Sequence, residues 1–175
     1  MKNITATLYL PRYLEQYLRH HYGSPVRFPA RSMENELLRR LTTRPPSQGT
    51  AAPAPDESSA RLTPIGVVLP DDDLHRPEYY SYLGRTARRR LSLALEATFR
   101  VHLWSDCLPL IVCGNVNRGI DEWCCANGIS LDSREAVRQK FYRLRRSYAS
   151  MGISLLLSWV LFFVFPSHRN YIEPY

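Results

Sequence analysis

The stretch Gly119–Tyr148, GIDEWCCANGISLDSREAVRQKFYRLRRSY, decides how this chain is read. Ile120, Trp123, Cys124 and Asn127 follow the i, i+3, i+4, i+7 spacing, which predicts a helix from near Gly119 with Trp123 as its anchor. Asn115 and Asn117 offer oxygens to cap it, and Asp121 and Glu122 stand in the first turn, where the helix dipole favours negative charge. Asn127–Gly128 ends it, since glycine takes the left-handed conformation without strain. After a turn at Ile129–Leu131, Asp132 and Glu135 have the spacing of a capping box, with Asp in place of Ser or Thr. A second helix follows. Its apolar residues Val137, Phe141, Leu144 and Tyr148 fall within ~60° of one another at ~100° per residue. Arg134, Arg138, Tyr142 and Arg145 lie on the adjoining face, with Gln139, Arg143 and Arg146 further round.

Upstream, a long helix is expected from Ser81 to about Ser105. Leu83, Ala87, Leu91, Ala94, Thr98 and Val101 make its apolar face, widened by Leu95, Phe99, His102 and Leu103. It is the expected spine of the core. Arg85, Arg88 and Arg89 sit off that face and make a basic patch, usually a solvated one, with phosphate contact as the functional alternative. The carboxylates Asp71–Asp73 beside His75 splay apart in sequence and suit a solvated loop better than a metal pair.

The N-terminal half reads as a small β/α scaffold. Residues 4–10 (ITATLYL) have strand composition, Tyr13, Leu14, Tyr17, Leu18 and His21 have helical spacing, and Gly23 stops that helix. A short strand is expected at Val26–Phe28. Ser32 then caps a helix with Met33, Leu37, Leu38 and Leu41 on one face. Residues 44–61 are rich in Pro, Ala and Ser and read as a linker or loop, followed by a third strand at Ile65–Leu69. Three apolar runs, LYLP, VRFP and VVLP, each end in proline, which suggests a βαβαβ-like unit with the linker as an excursion. A domain boundary at the linker is the rival. On that division residues 1–43 form the β/α module, 62–152 the strand and helical region, and 153–175 a tail.

Composition narrows the partners. The formal charge is +7 with a pI near 9.5, and Lys2 and Lys140 are the only lysines among 23 basic residues. Arginine is the better fork for phosphate oxygens and guanine edges. Cys107, Cys113, Cys124 and Cys125 lack metal-site spacing, and the opening residues lack the long apolar run of a secretory signal. Both features point to a cytoplasmic location. The sequence offers no nucleophile–base pair, glycine-rich phosphate loop or metal signature, so neither an enzyme nor a cofactor is expected.

Residues 119–148 resemble the helix-turn-helix DNA-binding proteins as a broad class: a helix ending in NGI, a short turn, and a second helix with Val137 facing inward. The spacing from Gly128 to Val137 is longer than in the tightest members. The resemblance implies an α+β protein whose helical C-terminal half binds duplex DNA without catalysis, as a transcriptional regulator or a mobile-element accessory. Arg134, Arg138, Gln139 and Tyr142 would meet bases, and Arg143, Arg145 and Arg146, with Arg85, Arg88 and Arg89, would meet phosphates.

Two other readings come from the C-terminus. Ser147–Ser167 carries no formal charge and is about the ~20 residues that a bilayer crossing needs, which allows a tail anchor with the arginines against anionic lipid. Its strongly apolar centre, 153–165, is short enough to be an element packed on the domain instead. The other reading is a structural subunit, with a protein partner or a homo-oligomer burying part of the apolar stripe.

Overall fold

The computed structural model describes residues 4–46, 62–72 and 75–151, and of 112 and 113 the backbone alone. Alternation sets the first element. In β1 (Thr5–Leu10) Ala6, Leu8 and Leu10 are buried while Thr5 and Thr7 face out. Helix α1 (Arg12–Tyr22) follows at once and stops at Gly23, whose φ of 80° lies where glycine alone is comfortable. Helix α2 (Met33–Leu41) starts where expected, because Ser32 Oγ accepts the Asn35 N–H at 3.1 Å. Leu38 is fully buried there, with Leu37 and Leu41 partly so, but Met33 stays 81 % exposed.

Strand β2 (Thr63–Val68) pairs antiparallel with β1, with Leu8 opposite Ile65 and Leu10 opposite Thr63. The chain on either side of residues 44–61 therefore returns to one sheet. Val26 adds one parallel bridge on Val67, its N–H donating to Gly66 O and its carbonyl accepting from Val68, both at 2.8 Å. This corrects the βαβαβ expectation, which needs parallel neighbours, and the Val26–Phe28 strand, which is a single bridge. Pro25 and Pro29 flank that segment and cannot donate to a ladder.

Helix α3 (Arg85–Cys107) is the spine, as its pattern suggests. It begins four residues later than expected, because Thr43 and Tyr82 hold each other in a two-way backbone bridge that keeps residues 81–84 out of the helix. Its buried row is Leu91, Leu95, Phe99, Leu103 and Cys107, an unbroken i, i+4 ridge. Val101 lies off that ridge and is 63 % exposed, which corrects its placement in the core face. A short helix α4 (Leu110–Cys113), which nothing in the sequence reading anticipated, leads into α5 (Val116–Ala126) and α6 (Leu131–Ser150).

One apolar cluster joins side chains of β1, α1, α2, β2, α3, α5 and α6, so the architecture is α+β with a small sheet and a mainly helical C-terminal half. Among the described residues no helix is long and apolar enough to cross a membrane. The expected tail, 153–175, lies outside the described residues, as does most of the 44–61 linker.

Candidate nucleic-acid interface

The pair α5–α6 is held together from its turn. Gly128 has φ 70°, and a Cβ there would sit 2.8 Å from His20, so the turn needs glycine for conformation and for space. Ile129 N–H donates back to Cys124 O at 2.8 Å, which closes the end of α5. The expected capping box is not formed. Helix α6 starts at Leu131, two residues early, so Asp132 lies inside the first turn and faces Arg12 at 3.6 Å. Ser130 holds the N-cap position, and α1 serves it: Gln16 Oε1 accepts the Ser130 N–H at 3.1 Å while Gln16 Nε2 donates to Ser130 Oγ at 2.9 Å.

The apolar stripe of α6 buries Val137 and Phe141 completely, with Leu144 and Tyr148 half-buried. Phe141 and Tyr148 pack on Trp104 of α3, at ring separations of 5.5 and 4.6 Å. Trp123, the anchor of α5, stacks on Tyr17 at 6.2 Å, meets Phe99 edge-on at 5.7 Å and donates its indole N–H to Asp106 at 2.9 Å. His102 is on the surface, hydrogen-bonded through Nδ1 to the Tyr17 hydroxyl at 2.6 Å.

The arginine face divides at its middle. Arg138 reaches across to α5 and grips both carboxylate oxygens of Asp121, with Glu135 as a third contact at 3.4 Å. The Asp121 hydrogen bond holds its guanidinium above the ordinary arginine range. Tyr142 likewise turns to α5, donating to Asn117 Oδ1 at 2.7 Å. Arg134 is half-buried near Cys124, with its Nε out of solvent and without a hydrogen-bond partner among the described residues. Of the four expected base-reading residues only Gln139 is both exposed and pointed away from α5, with a 3.3 Å contact to Glu135. The 17-residue separation of Asp121 and Arg138 carries no local sequence signal.

Further along, Arg143 and Arg146 are exposed and Arg145 is half-buried. None of the three side chains has a hydrogen bond or ion pair among the described residues. Gln139, Arg143 and Arg146 stand at i, i+4 and i+7, so they form one line on the outer surface. Asp132 and Glu135 precede them on that same line, which therefore runs from acidic to basic along the helix, as the dipole prefers.

Sequence reading missed two cations beside this end. Lys140 lies over the Tyr13 ring at 5.2 Å and donates to Glu96, which also accepts the Tyr13 hydroxyl at 2.6 Å. Burial first, then that hydrogen bond, pushes the Tyr13 phenol far up, and the charge of neighbouring Arg100 opposes the shift. Arg100 itself is exposed, one turn from both Glu96 and Trp104.

The α3 patch lies apart from this group. The Lys140–Glu96 and Tyr148–Trp104 contacts advance together along both helices, so α6 runs in the direction of α3. Arg85, Arg88 and Arg89 thus fall N-terminal to Glu96 while Arg143–Arg146 fall C-terminal to Lys140, roughly 15–25 Å apart along the axes at helical rise.

Other chemistry is sparse. Among the described residues no three His, Cys, Asp or Glu side chains converge as a metal site would require. Burial pushes the Cys107 thiol up to about 12 and the Cys124 thiol up to about 11. A cavity of about 490 Å³ lies between α2 and the end of β2, but its polar groups already pair: Arg39 with Asp72 at 2.8 Å, and Asn35 with Ala30 O at 3.0 Å. No family model, curated protein or solved structure matches the chain.

Proposed function

We propose that this protein binds duplex DNA without catalysis, gripping the sugar–phosphate backbone with the C-terminal half of α6. What carries the reading is the line Gln139–Arg143–Arg146, with Arg145 beside it and its three guanidinium groups left unpaired among the described residues. Arginines distributed around a helix end suit phosphate oxygens on a curved backbone better than a row of base edges. Exposed Arg100 adds positive potential at the same end. Base reading by the first turns of α6 is the weaker part, since Arg138 and Tyr142 are engaged by α5 and Asp132 and Glu135 face outward. The protein would then be a low-specificity binder, as suits a mobile-element accessory or a transcriptional regulator that gains specificity through a partner.

Binding to random duplex across a salt series tests this. Replacing Arg143, Arg145 and Arg146 by Ala together should make the log–log salt slope shallower by about 2–3, one counterion per lost phosphate contact. An unaltered slope in the folded triple variant removes α6 from the proposal.

A second reading has one observation in its favour: the same arginines stand immediately before the uncharged residues 147–167. Such a basic flank also suits anionic lipid. Co-flotation with phosphatidylserine vesicles, abolished by the triple variant, would favour it.

A further inference from the structure

We propose that the solvent-facing apolar side of α3 is the docking site for the chain's own tail, residues 153–165 (ISLLLSWVLFFVF). The proposal stands independently of the nucleic-acid reading. Helix α3 has a second apolar line besides its core ridge. Leu93, Ala97 and Val101 stand at i, i+4 and i+8 on the outer side, and Leu93 and Val101 are 61 % and 63 % exposed. Half-buried Trp104 continues it. From Leu93 to Trp104 the line is roughly 16 Å long at helical rise.

This line lies between two neighbouring helices. On one side α2 meets α3 where Thr98 donates to Glu34 at 3.5 Å, and exposed Met33 stands next to that contact. On the other side α6 meets it through Tyr148 and Trp104. With Ala97 between them and Trp104 beyond, the two exposed aliphatics make one continuous apolar line that an uncharged segment can cover.

The occupant follows from where the described chain ends. Helix α6 finishes at Ser150, two residues after Tyr148, so the described chain ends close to Trp104, at the C-terminal end of this line. Thirteen residues reach about 20 Å at helical rise and about 40 Å extended, enough to return along the line to Ala97 as a helix and to Leu93 where part of the segment is extended. The tail is uncharged from Ser147 to Ser167, and so are Leu93, Ala97 and Val101. The inner stripe of α6 is closed to it, because Val137 and Phe141 are already fully buried.

The full-length protein, carrying the photo-reactive residue benzoylphenylalanine at position 101 and separately at position 93, tests the seat directly. Mass spectrometry after irradiation should find both positions joined to peptides of 153–165 in the same chain, with a yield that does not change on dilution. Crosslinks only between chains would mean that a second copy covers this face. Crosslinks absent in buffer, with the tail instead protected by added vesicles, would mean that the tail prefers lipid. Either result overturns the proposal. As a second arm, Leu93→Arg with Val101→Arg should leave the core folded, since neither side chain belongs to it, while lowering its melting temperature slightly by the docking energy lost. Chymotryptic cleavage at Trp159, Phe162 and Phe163 should speed up by about tenfold, because cleavage tracks the undocked population. Cleavage at the wild-type rate in both proteins contradicts docking.

Discussion

In the first half of α6 the arginines turn inward, and in the second half Arg143 and Arg146 turn to solvent. Arg138 grips Asp121 and touches Glu135, Arg134 lies half-buried near Cys124, and Tyr142 bonds Asn117. Arg143, next to Tyr142 in sequence, and Arg146 stand exposed with no partner among the described residues. The same residue type, on the same helix, serves cohesion in one half and leaves charge for a partner in the other. What separates the two sets is α5, which lines one side of α6 with Asp121 and Asn117, while Arg143 and Arg146 stand roughly 90° further round. An arginine stripe read from a helical wheel is therefore not yet a binding face. A neighbour's carboxylate decides.

The largest expected effect removes the platform that both halves share. Phe141→Ala should cost about 3–5 kcal/mol, read from urea unfolding, because a fully buried ring would leave a cavity against Trp104. A loss under about 1 kcal/mol would mean that α6 is not seated as described.

The closed half can be probed by its thiol. Burial raises the folded pKa of Cys124 to about 11 against an ordinary value of 9.0, so at pH 8 its alkylation should be about a hundredfold slower in the folded protein than in the urea-unfolded chain. Burial also raises the phenol of Tyr17 and the thiol of Cys107, each to about 12. The sign follows: groups with raised folded pKa values contribute stability that is complete below their unfolded values, near 9 to 10. That stability is lost as pH climbs through 11 to 12. Alkaline unfolding in that window is expected, and a melting temperature flat from pH 8 to pH 12 would show that these groups are not buried as placed.

Arg138→Ala sharpens the comparison itself. It should lower the melting temperature by less than Phe141→Ala does, and leave the salt slope of DNA binding unchanged. A shallower slope would return Arg138 to the binding face. The smallest effect concerns the start of α6. Gln16→Ala should cost about 0.5–1.5 kcal/mol, the net worth of a part-buried hydrogen bond, by removing the partner of Ser130.

Periodicity and punctuation made much of the fold legible. Gly23, Ser32 and Gly128 fall where the chain stops, starts and turns. Patterns with several solutions were read less well. On α3 both the Leu91–Cys107 ridge and the Leu93–Val101 line are apolar, and only the packing of α1, α2 and α6 selects between them. Pairing over distance left no local trace, as with β1 on β2, Gln16 on Ser130 and Asp121 on Arg138. The last of these changes the candidate site most, because it engages the central member of the expected base-reading set.

The central claim is that the unpaired end of α6, and not its α5-facing half, meets the polyanion. The most direct measurement is the salt dependence of binding to one random duplex by three folded proteins: wild type, Arg138→Ala, and the triple variant at Arg143, Arg145 and Arg146. The expected result is a wild-type slope for Arg138→Ala and a slope shallower by about 2–3 for the triple variant. Equal slopes for wild type and triple variant, or a larger change on losing Arg138, would contradict it.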